Sequence, residues 1–239
     1  ERLKALGEMA SGVAHDFNNI LAAILGKTQV MLGALDRGNV PDPQNLRTSL
    51  KVIERMTIQG AQTVKRIQDF TRIRTDQKFD HVDLNQVIKD AINITKPVWR
   101  DQCELKGVKI DLQFSPGDVP TISGIGSELA DVIVNIIANA IDAMPEGGTI
   151  QISSGPYRAE NSEYAEIKIK DTGIGMSNEV KQKIFDPFFS TKGPKGTGLG
   201  MSVAYGIVAR HHGNIALESE LGQGTTCRLY FPAATQAER

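Results

Sequence analysis

The chain has 239 residues, of which 40% are hydrophobic and 23% are charged, and its formal net charge is −1 at pH 7. This balance is typical of a globular protein with room for one large or two modest domains. It excludes the strongly basic character of nucleic-acid-binding domains, so no nucleic-acid partner is expected. No apolar run approaches the roughly 18 residues that a membrane-spanning helix needs, so no membrane contact is expected in this part of the protein.

The two cysteines indicate the redox compartment of the chain, and its first residue indicates whether it is a fragment. Cys103 and Cys227 lie far apart and lack the spacing of metal ligands, which favours free thiols in a reducing compartment and a cytoplasmic location. The sequence begins at Glu1 inside a helix-like pattern and shows no signal peptide, so we expect a fragment of a longer protein.

Residues 1–76 predict two long helices joined by a break. Apolar residues recur at spacings of three and four between residues 3 and 35, and again between 46 and 70. The segment DRGNVPDPQN at 36–45 interrupts this pattern with glycine and prolines. Each arm has roughly 30 residues and a length of about 45 Å. Because two such helices enclose little core, the stripes predict a second copy that completes a dimeric four-helix bundle.

The first predicted helix carries a polar cluster in an otherwise apolar run, VAHDFNNIL at 13–21. A neutral imidazole such as that of His15 is nucleophilic near neutral pH, and a carboxylate such as that of Asp16 can fix its tautomer. Adjacent helical residues point about 100° apart, so the pattern does not require direct contact between these two side chains. Asn19, at i+4, lies on the same helix face as His15. An ordinary histidine with polar neighbours is the alternative for this segment alone.

After a charged, non-periodic stretch at 72–80, helices and strands alternate over residues 81–235. Helices are predicted at about 84–101, 126–143 and 199–212, and strands at VKIDLQF, GTIQISSG, YAEIKIKD, NIALESE and TTCRLYF. Short turns between the strands favour antiparallel pairing. The mixture predicts a second domain, an α+β sandwich whose single sheet is covered on one face by helices.

The helix predicted over residues 128–144 combines an apolar face with a polar stripe. Asn135, Asn139 and Asp142 follow each other at i, i+4 and i+7, and side-chain oxygens of this kind suit a hard cation such as Mg²⁺. An ordinary solvated helix face is the alternative. The core face is predicted to contain Leu129, Val132, Ile133, Ile136, Ile137, Ala140 and Met144.

Two glycine-rich segments lie between a predicted strand and the last predicted helix. The first follows the strand directly, and the second begins the helix. Asp171 is the first residue of DTGIGM and the last residue of the predicted strand, where its carboxylate can accept a hydrogen bond from an exocyclic amine such as that of adenine. Gly196, Gly198 and Gly200 open the last helix, where backbone amides and the helix dipole favour an anion. The spacing matches neither a P-loop nor a Rossmann unit. A flexible loop is the alternative for either segment alone.

Together these segments resemble one known arrangement. NIIANAIDAM, DTGIGM, IFDPFFSTK and GTGLGMSVAYGIV are similar to the N, G1, F and G2 boxes of the gyrase-type ATPase superfamily in its sensor histidine kinase form, and the match extends over about residues 81–232. The resemblance implies a multidomain α and α+β protein. Its helical hairpin at 1–76 would be the dimerisation and phosphoacceptor domain, and a Bergerat-type α/β sandwich at 81–235 would be the ATP-binding catalytic domain.

The resemblance implies an ATP site with Mg²⁺ as cofactor. Asn139 would be the Mg²⁺ ligand, Asn135 would lie near the phosphates, and Asp171 would accept the adenine amine next to a turn shaped by Gly173 and Gly175. Residues 176–197 would form a mobile lid. The other residues expected at the nucleotide are Asp142, Phe188, Lys192, Lys195, Gly196, Thr197, Gly198, Leu199 and Gly200. For the two lysines, an exposed loop charge is the alternative.

Position 135 helps to choose a branch of this superfamily. In the ATP-hydrolysing relatives a glutamate one turn before the metal-binding asparagine activates water, whereas this chain has Asn135 there. An amide cannot act as a general base, which disfavours a dedicated ATPase and requires another acceptor for the phosphoryl group.

HDFNN at 15–19 resembles the H box of the same kinases. The resemblance implies that His15 is the phosphoacceptor, that Asp16 activates it, and that Asn19 serves in dephosphorylating a partner's phospho-aspartate. Many family members have proline after the i+4 residue, where this chain has Ile20, so no helix kink is inferred.

The implied protein is a homodimeric sensor histidine kinase of bacterial two-component systems. This fragment would be the cytoplasmic part of a larger sensor. It would phosphorylate His15 from Mg·ATP and pass the phosphoryl group to an aspartate of a response regulator receiver domain, with a reverse phosphatase activity toward that partner. The alternatives are a gyrase- or mismatch-repair-like ATPase and a nucleotide-binding scaffold without kinase activity.

Overall fold

The structure is a computed structural model that describes residues 2–38, 42–71, 78–105, 107–159, 162–193 and 198–234. Side chains are described for these residues except 2–17, 59, 61–71 and 102. The chain divides into two compact units, Glu1–Ile73 and Arg74–Arg239. Among the described residues, no helix is both long and apolar enough to cross a membrane.

The first unit is the predicted helical hairpin, formed by α1 (Arg2–Asp36) and α2 (Pro43–Thr71). Asp42 caps α2, because its Oδ2 accepts hydrogen bonds from the backbone N–H groups of Gln44 at 3.1 Å and Asn45 at 3.3 Å. Pro43 then occupies the first helical position, where no backbone donor is needed. The two arms pack closely at the buried Ile20, whose Cγ2 lies 3.4 Å from the position that a Cβ on Gly60 would take.

Much of the apolar stripe of the hairpin remains exposed in the single chain. Leu25 is 57% exposed and Leu32 is 54% exposed. Leu21, Leu25, Leu32 and Leu35 lie along a seam with successive spacings of four, seven and three residues, the pattern of a coiled-coil interface. Among the side chains that the structure describes in this unit, the exposed large apolar ones are Leu21, Leu25, Val30, Leu32, Leu35, Leu46, Leu50 and Ile58.

The second unit contains a five-stranded sheet in the order β2-β4-β5-β7-β6. These strands are β2 (Ile110–Ser115), β4 (Gly148–Ala159), β5 (Ser162–Asp171), β6 (Asn214–Glu220) and β7 (Gly224–Pro232). The antiparallel pairing that the turns suggested is correct for every neighbouring pair except β2 and β4, which are parallel. The connection from β2 to β4 contains a helix, and a crossover of that length allows the parallel arrangement.

Three helices pack together on this sheet: α3 (Leu84–Lys96), α4 (Gly126–Asp142) and α6 (Gly200–Arg210). The short α5 (Asn178–Lys183) lies between β5 and α6 along the chain. The predicted core face of α4 is confirmed, since every one of its residues is buried. Fully buried Ile150, Ile152 and Ile167 meet these helices from the sheet. The helices and the sheet therefore form the predicted two-layer sandwich, with its own hydrophobic core.

Several element boundaries differ from the sequence prediction for local reasons. The helix predicted to reach residue 101 leaves α geometry at Pro97 and continues as a π-helix, Pro97–Gln102, because proline cannot donate to the helical ladder. The last helix ends at Arg210, two residues early, because His212 has a left-handed φ of 55°. Two three-residue strands, β1 (Asp80–Val82) and β3 (Ile122–Gly124), were not predicted; they pair antiparallel in a separate small sheet.

A ring cluster fixes the beginning of the second unit. The Phe79 ring stacks on the buried His211 ring, with centroids 4.9 Å apart, and the Arg210 guanidinium lies 5.9 Å above Phe79. His211 Nε2 accepts a hydrogen bond from the backbone N–H of Ile125 at 3.0 Å, while Nδ1 lies 2.8 Å from the carbonyl oxygen of Ile207. The cluster thus joins the first residues of the unit to the amino end of α4 and the carboxyl end of α6.

Candidate nucleotide site

The polar stripe of α4 lies at the edge of the sandwich, beside the start of α6. Asn135 and Asn139 are half-buried and Asp142 is exposed. A Cβ on Gly200 would lie 3.3 Å from Asn135 Oδ1, so the first residue of α6 directly adjoins the polar stripe. The helix that contributes most to the core thus presents its polar face to the glycine-rich segment.

Lys192 extends from the segment between β5 and α6 to this stripe. Its Nζ donates to Asn139 Oδ1 at 2.9 Å and to Asp142 Oδ2 at 2.6 Å. The edge of α4 therefore binds a cation through one amide oxygen and one carboxylate oxygen. Oxygen is the ligand type that Mg²⁺ prefers, and Mg²⁺ completes its shell with water and phosphate oxygens, so the amide oxygen of Asn139 fits Mg²⁺ supplied with a nucleotide.

Asp171 ends β5 as predicted, and its side chain is 6% exposed. Its Oδ1 accepts hydrogen bonds from the backbone N–H groups of Gly173 at 2.9 Å and Thr225 at 3.2 Å. Among the described residues, no donor reaches Oδ2. Burial raises the pKa of the Asp171 carboxyl, and the two backbone hydrogen bonds partly oppose this rise. A buried carboxylate oriented by one oxygen leaves the other oxygen for an amine donor.

The turn after Asp171 requires its two glycines. A Cβ on Gly173 would lie 2.6 Å from the carbonyl oxygen of Ala143, the residue that caps α4. Gly175 has a left-handed φ of 66°, and a Cβ there would collide with the backbone carbonyl of Glu220. The close approach of the turn to Ala143 places the Asp171 pocket beside the carboxyl end of α4.

The amino end of α6 offers backbone donors beside Asn135. Leu199 takes the N-cap position of α6 without a side-chain cap among the described residues, and Leu199 itself is buried. The first N–H groups of such a helix, together with its dipole, favour an anion. Gly198, with a φ of 62°, packs against the backbone of Phe188, which itself has a φ of 67° and is 43% exposed.

The structure thus brings most of the predicted nucleotide residues into one continuous site. The residues in this site are Asn135, Asn139, Asp142, Asp171, Gly173, Gly175, Phe188, Lys192, Gly198, Leu199 and Gly200. The predicted residues Lys195, Gly196 and Thr197 lie outside the described part of the chain.

The predicted phosphoacceptor residues belong to the other compact unit. His15, Asp16 and Asn19 are all within α1. The side chains of His15 and Asp16 are outside the described residues, whereas Asn18 and Asn19 are exposed. α1 is one continuous α-helix through Ile20.

Sequence reasoning missed the residues that support the site from behind. The buried Ser219 accepts a hydrogen bond from the backbone N–H of Met176 at 2.9 Å and donates to the carbonyl oxygen of Gly224 at 2.8 Å, which ties the DTGIGM turn to the β6–β7 hairpin. Thr225 supplies the second donor to Asp171 from the same hairpin. Ser219 could have been found in the sequence as a polar residue at an inward-facing strand position. The sequence contains no pattern that indicates that β7 lies next to Asp171.

Two family models match this chain. Residues 5–76 match HisKA, the His Kinase A (phospho-acceptor) domain, and residues 124–235 match HATPase_c, the histidine kinase-, DNA gyrase B- and HSP90-like ATPase. Sensor kinase CckA of Brucella abortus and sporulation kinase E of Bacillus subtilis are each 32% identical to it over its full length. The chain spans only 25% and 30% of these two relatives.

A solved structure of similar architecture covers both units. Histidine kinase ThkA, in its complex with response regulator protein TrrA, matches the whole chain with a TM-score of 0.69 and 24% identity, and the match covers 65% of that chain. At this identity the likeness shows the fold alone.

The fold and the site define a phosphoacceptor-type helical hairpin followed by an ATPase-type α/β sandwich. With both family models matched in this order, the chain belongs to the sensor histidine kinases of two-component systems.

Proposed function

We propose that the chain is a histidine kinase core that phosphorylates His15 from Mg·ATP and then passes the phosphoryl group to an aspartate of a response regulator receiver domain. The observation that carries the proposal is the position of Asn135, whose Oδ1 adjoins Gly200 at the amino end of α6. An amide, rather than a general base, stands beside the predicted phosphate position. The phosphoryl group is therefore directed to a protein nucleophile and not to water.

Each side chain of the site has a role in this reaction. Asp171 accepts a hydrogen bond from the adenine amine through its outer oxygen, and the backbone N–H groups at the start of α6 bind phosphate oxygens. Asn139 is the protein ligand for Mg²⁺, with Asp142 beside it. When bound, Mg²⁺ screens the phosphate charge and orients the transferred group. Lys192, together with Lys195, Gly196 and Thr197, belongs to the lid segment that contacts the phosphates.

On the hairpin, a ring nitrogen of His15 attacks the γ-phosphorus of ATP. The N–P bond forms as the P–O bond to ADP breaks, and the proton on the other ring nitrogen is held by a carboxylate, for which Asp16 is the candidate. Asn19, at i+4, orients the water in the reverse reaction on the phosphorylated partner. Since phosphoryl transfer needs little covalent help from the protein, these residues mainly position the reactants.

The hairpin supplies both partner surfaces in this proposal. The exposed leucine seam of α1 pairs with a second copy of the chain to complete a four-helix bundle, which buries those side chains. The response regulator receiver domain docks on the same hairpin near His15.

The test is a labelling experiment with γ-labelled ATP and Mg²⁺. The wild-type chain is expected to take up label that is acid-labile and base-stable, and His15→Gln is expected to lose it. His81→Gln, a substitution at an exposed histidine of the other unit, is the matched control and should label normally. Asn139→Ala should abolish labelling while the dimer persists.

The other outcomes separate the alternatives. Equal labelling of His15→Gln would refute the phosphoacceptor assignment. Steady ATP hydrolysis without stable label would instead identify an ATPase, and nucleotide binding without either product would identify a scaffold.

A further inference from the structure

Lys192 connects the predicted lid to the polar stripe of α4 in the candidate nucleotide site. Lys192 Nζ lies 2.9 Å from Asn139 Oδ1 and 2.6 Å from Asp142 Oδ2. The backbone N–H of Lys192 in turn donates to Ser190 Oγ at 3.1 Å, in a local turn that supports this position of the segment. A residue of the predicted lid is therefore bound to the last turn of α4.

This bridge uses the oxygen that the proposed function assigns to Mg²⁺. Asn139 Oδ1 has the ammonium at hydrogen-bond distance, and a divalent cation bound to the same oxygen would stand within a few ångströms of that charge. Like charges so close repel each other strongly unless one of them moves. Lys192 and a bound metal thus compete for Asn139.

The contacts of Lys192 with Asn139 and Asp142 are weak enough to be displaced by a ligand. The side chains of Lys192 and Asp142 are 39% and 56% exposed, and ion pairs with such exposure contribute little to stability because water screens them. Mg·ATP supplies a divalent cation, which binds the Asn139 oxygen more strongly than the ammonium does. It also supplies phosphates, which bind the ammonium more strongly than Asp142 does.

We propose that Lys192 is a tethered cation that holds residues 186–193 of the predicted lid against α4 through Asn139 and Asp142 when no nucleotide is bound, and that binding of Mg·ATP displaces it from Asn139 onto the phosphates. Asp142 is then a latch residue, which retains the lysine when no nucleotide is present. This inference rests on the proposed function, because the competing cation is the metal of that reaction.

The first experiment measures the lid of the nucleotide-free chain by hydrogen exchange. Lys192→Met removes the ammonium and keeps the length of the side chain, whereas Asp142→Asn removes one anchor and keeps Lys192. Both variants are expected to raise exchange at residues 186–193 by about two- to fivefold, because loss of an exposed pair frees a segment to a modest extent. Lys183→Met removes an exposed lysine from the same segment as the matched control and should leave this exchange unchanged.

The second experiment measures Mg·ATP affinity by calorimetry. Asp142→Asn is expected to bind Mg·ATP about two- to fivefold more tightly, because the lysine is released and remains available to the phosphates. In a Lys192→Met background, Asp142→Asn should give less than half of that gain, because the latch is already absent.

Unchanged lid exchange in both single variants would overturn the latch. Fully additive effects on affinity would overturn the coupling, because Asp142 would then act on the phosphates by its own charge. Neither measurement depends on His15, so a failure of phosphorylation would leave the exchange result standing and would count against the proposed reaction alone.

Discussion

The two units of this chain differ in where they place their apolar residues. The α/β unit has a hydrophobic core that is buried within one chain, and in it Leu84, Ile88 and Ile137 have no exposed surface. In the hairpin, the leucine seam of α1 is largely exposed to solvent, and Leu25 is 57% exposed. In the proposed dimer this seam is buried against a second copy of the chain, whereas the core of the α/β unit forms within one chain.

This contrast predicts two kinds of unfolding in one chain. Trp99, the single tryptophan, packs against the core of the α/β unit and reports on that unit alone. Its fluorescence transition is expected to be independent of protein concentration. Helical circular dichroism, which includes the hairpin, is expected to contain a transition that rises with concentration.

The largest effect is expected at the hairpin seam. Leu25→Asp would place two carboxylates, one from each copy, in the proposed dimer interface and would remove two buried leucines worth about 3–6 kcal/mol together. The dimer dissociation constant should rise by about 100-fold or more, measured by analytical ultracentrifugation.

Val30→Asp, at an exposed position about 140° around α1 from Leu25 and so on the other side of the helix from the leucine seam, is the control and should leave association unchanged. If Leu25→Asp leaves the chain dimeric, the seam is not the interface. The Trp99 transition should be the same in both variants.

A smaller effect is expected in the core of the α/β unit. Ile137→Ala removes a fully buried side chain of α4 and should reduce the free energy of unfolding of that unit by about 2–5 kcal/mol. Urea denaturation followed by Trp99 fluorescence measures this change. Dimerisation should persist, and its loss would contradict the independence of the two units.

The smallest effect concerns pH and the ring cluster. Burial lowers the pKa of the His211 imidazole below its ordinary value of 6.5, and the nearby Arg210 acts in the same direction while the Ile207 carbonyl and Glu128 oppose it. The unfolded chain therefore takes up this proton at a higher pH than the folded chain. The stabilising contribution is complete above about pH 6.5 and is lost as the pH falls toward the lowered pKa.

For one such group the slope cannot exceed about 1.4 kcal/mol per pH unit. The Trp99 transition, measured between pH 5 and pH 8, should show this fall in the wild type. His211→Gln should flatten the profile, whereas His81→Gln should retain it. A profile that His211→Gln leaves unchanged would assign the dependence to another group.

The sequence predicted the parts of this molecule that local patterns determine. The apolar face of α4, the strand that ends at Asp171 and the helical hairpin follow from periods of about 3.6 and 2 residues, which depend only on neighbours along the chain. The roles of the nucleotide residues came from the order of the four glycine- and asparagine-containing segments, and the structure collects the described ones in one site.

Long-range features were beyond local patterns. The parallel pairing of β2 with β4 depends on a crossover, and the strands β1 and β3 are too short to show alternation. The bond from Thr225 to Asp171 and the bridge from Lys192 to Asn139 join residues that are 54 and 53 positions apart. Such contacts are set by packing of the whole domain, which no window of sequence contains.

The ring stack of Phe79 on His211 also fixes where the α/β unit can be separated from what precedes it. A chimaera that joins a foreign hairpin upstream of Lys78 retains Phe79 against the ends of α4 and α6, the two helices whose other ends form the nucleotide site. A junction placed after Phe79 removes the aromatic ring that covers His211. A junction for exchanging the upstream unit therefore lies before this phenylalanine, so that the α/β unit keeps the ring that packs on His211 at the ends of α4 and α6.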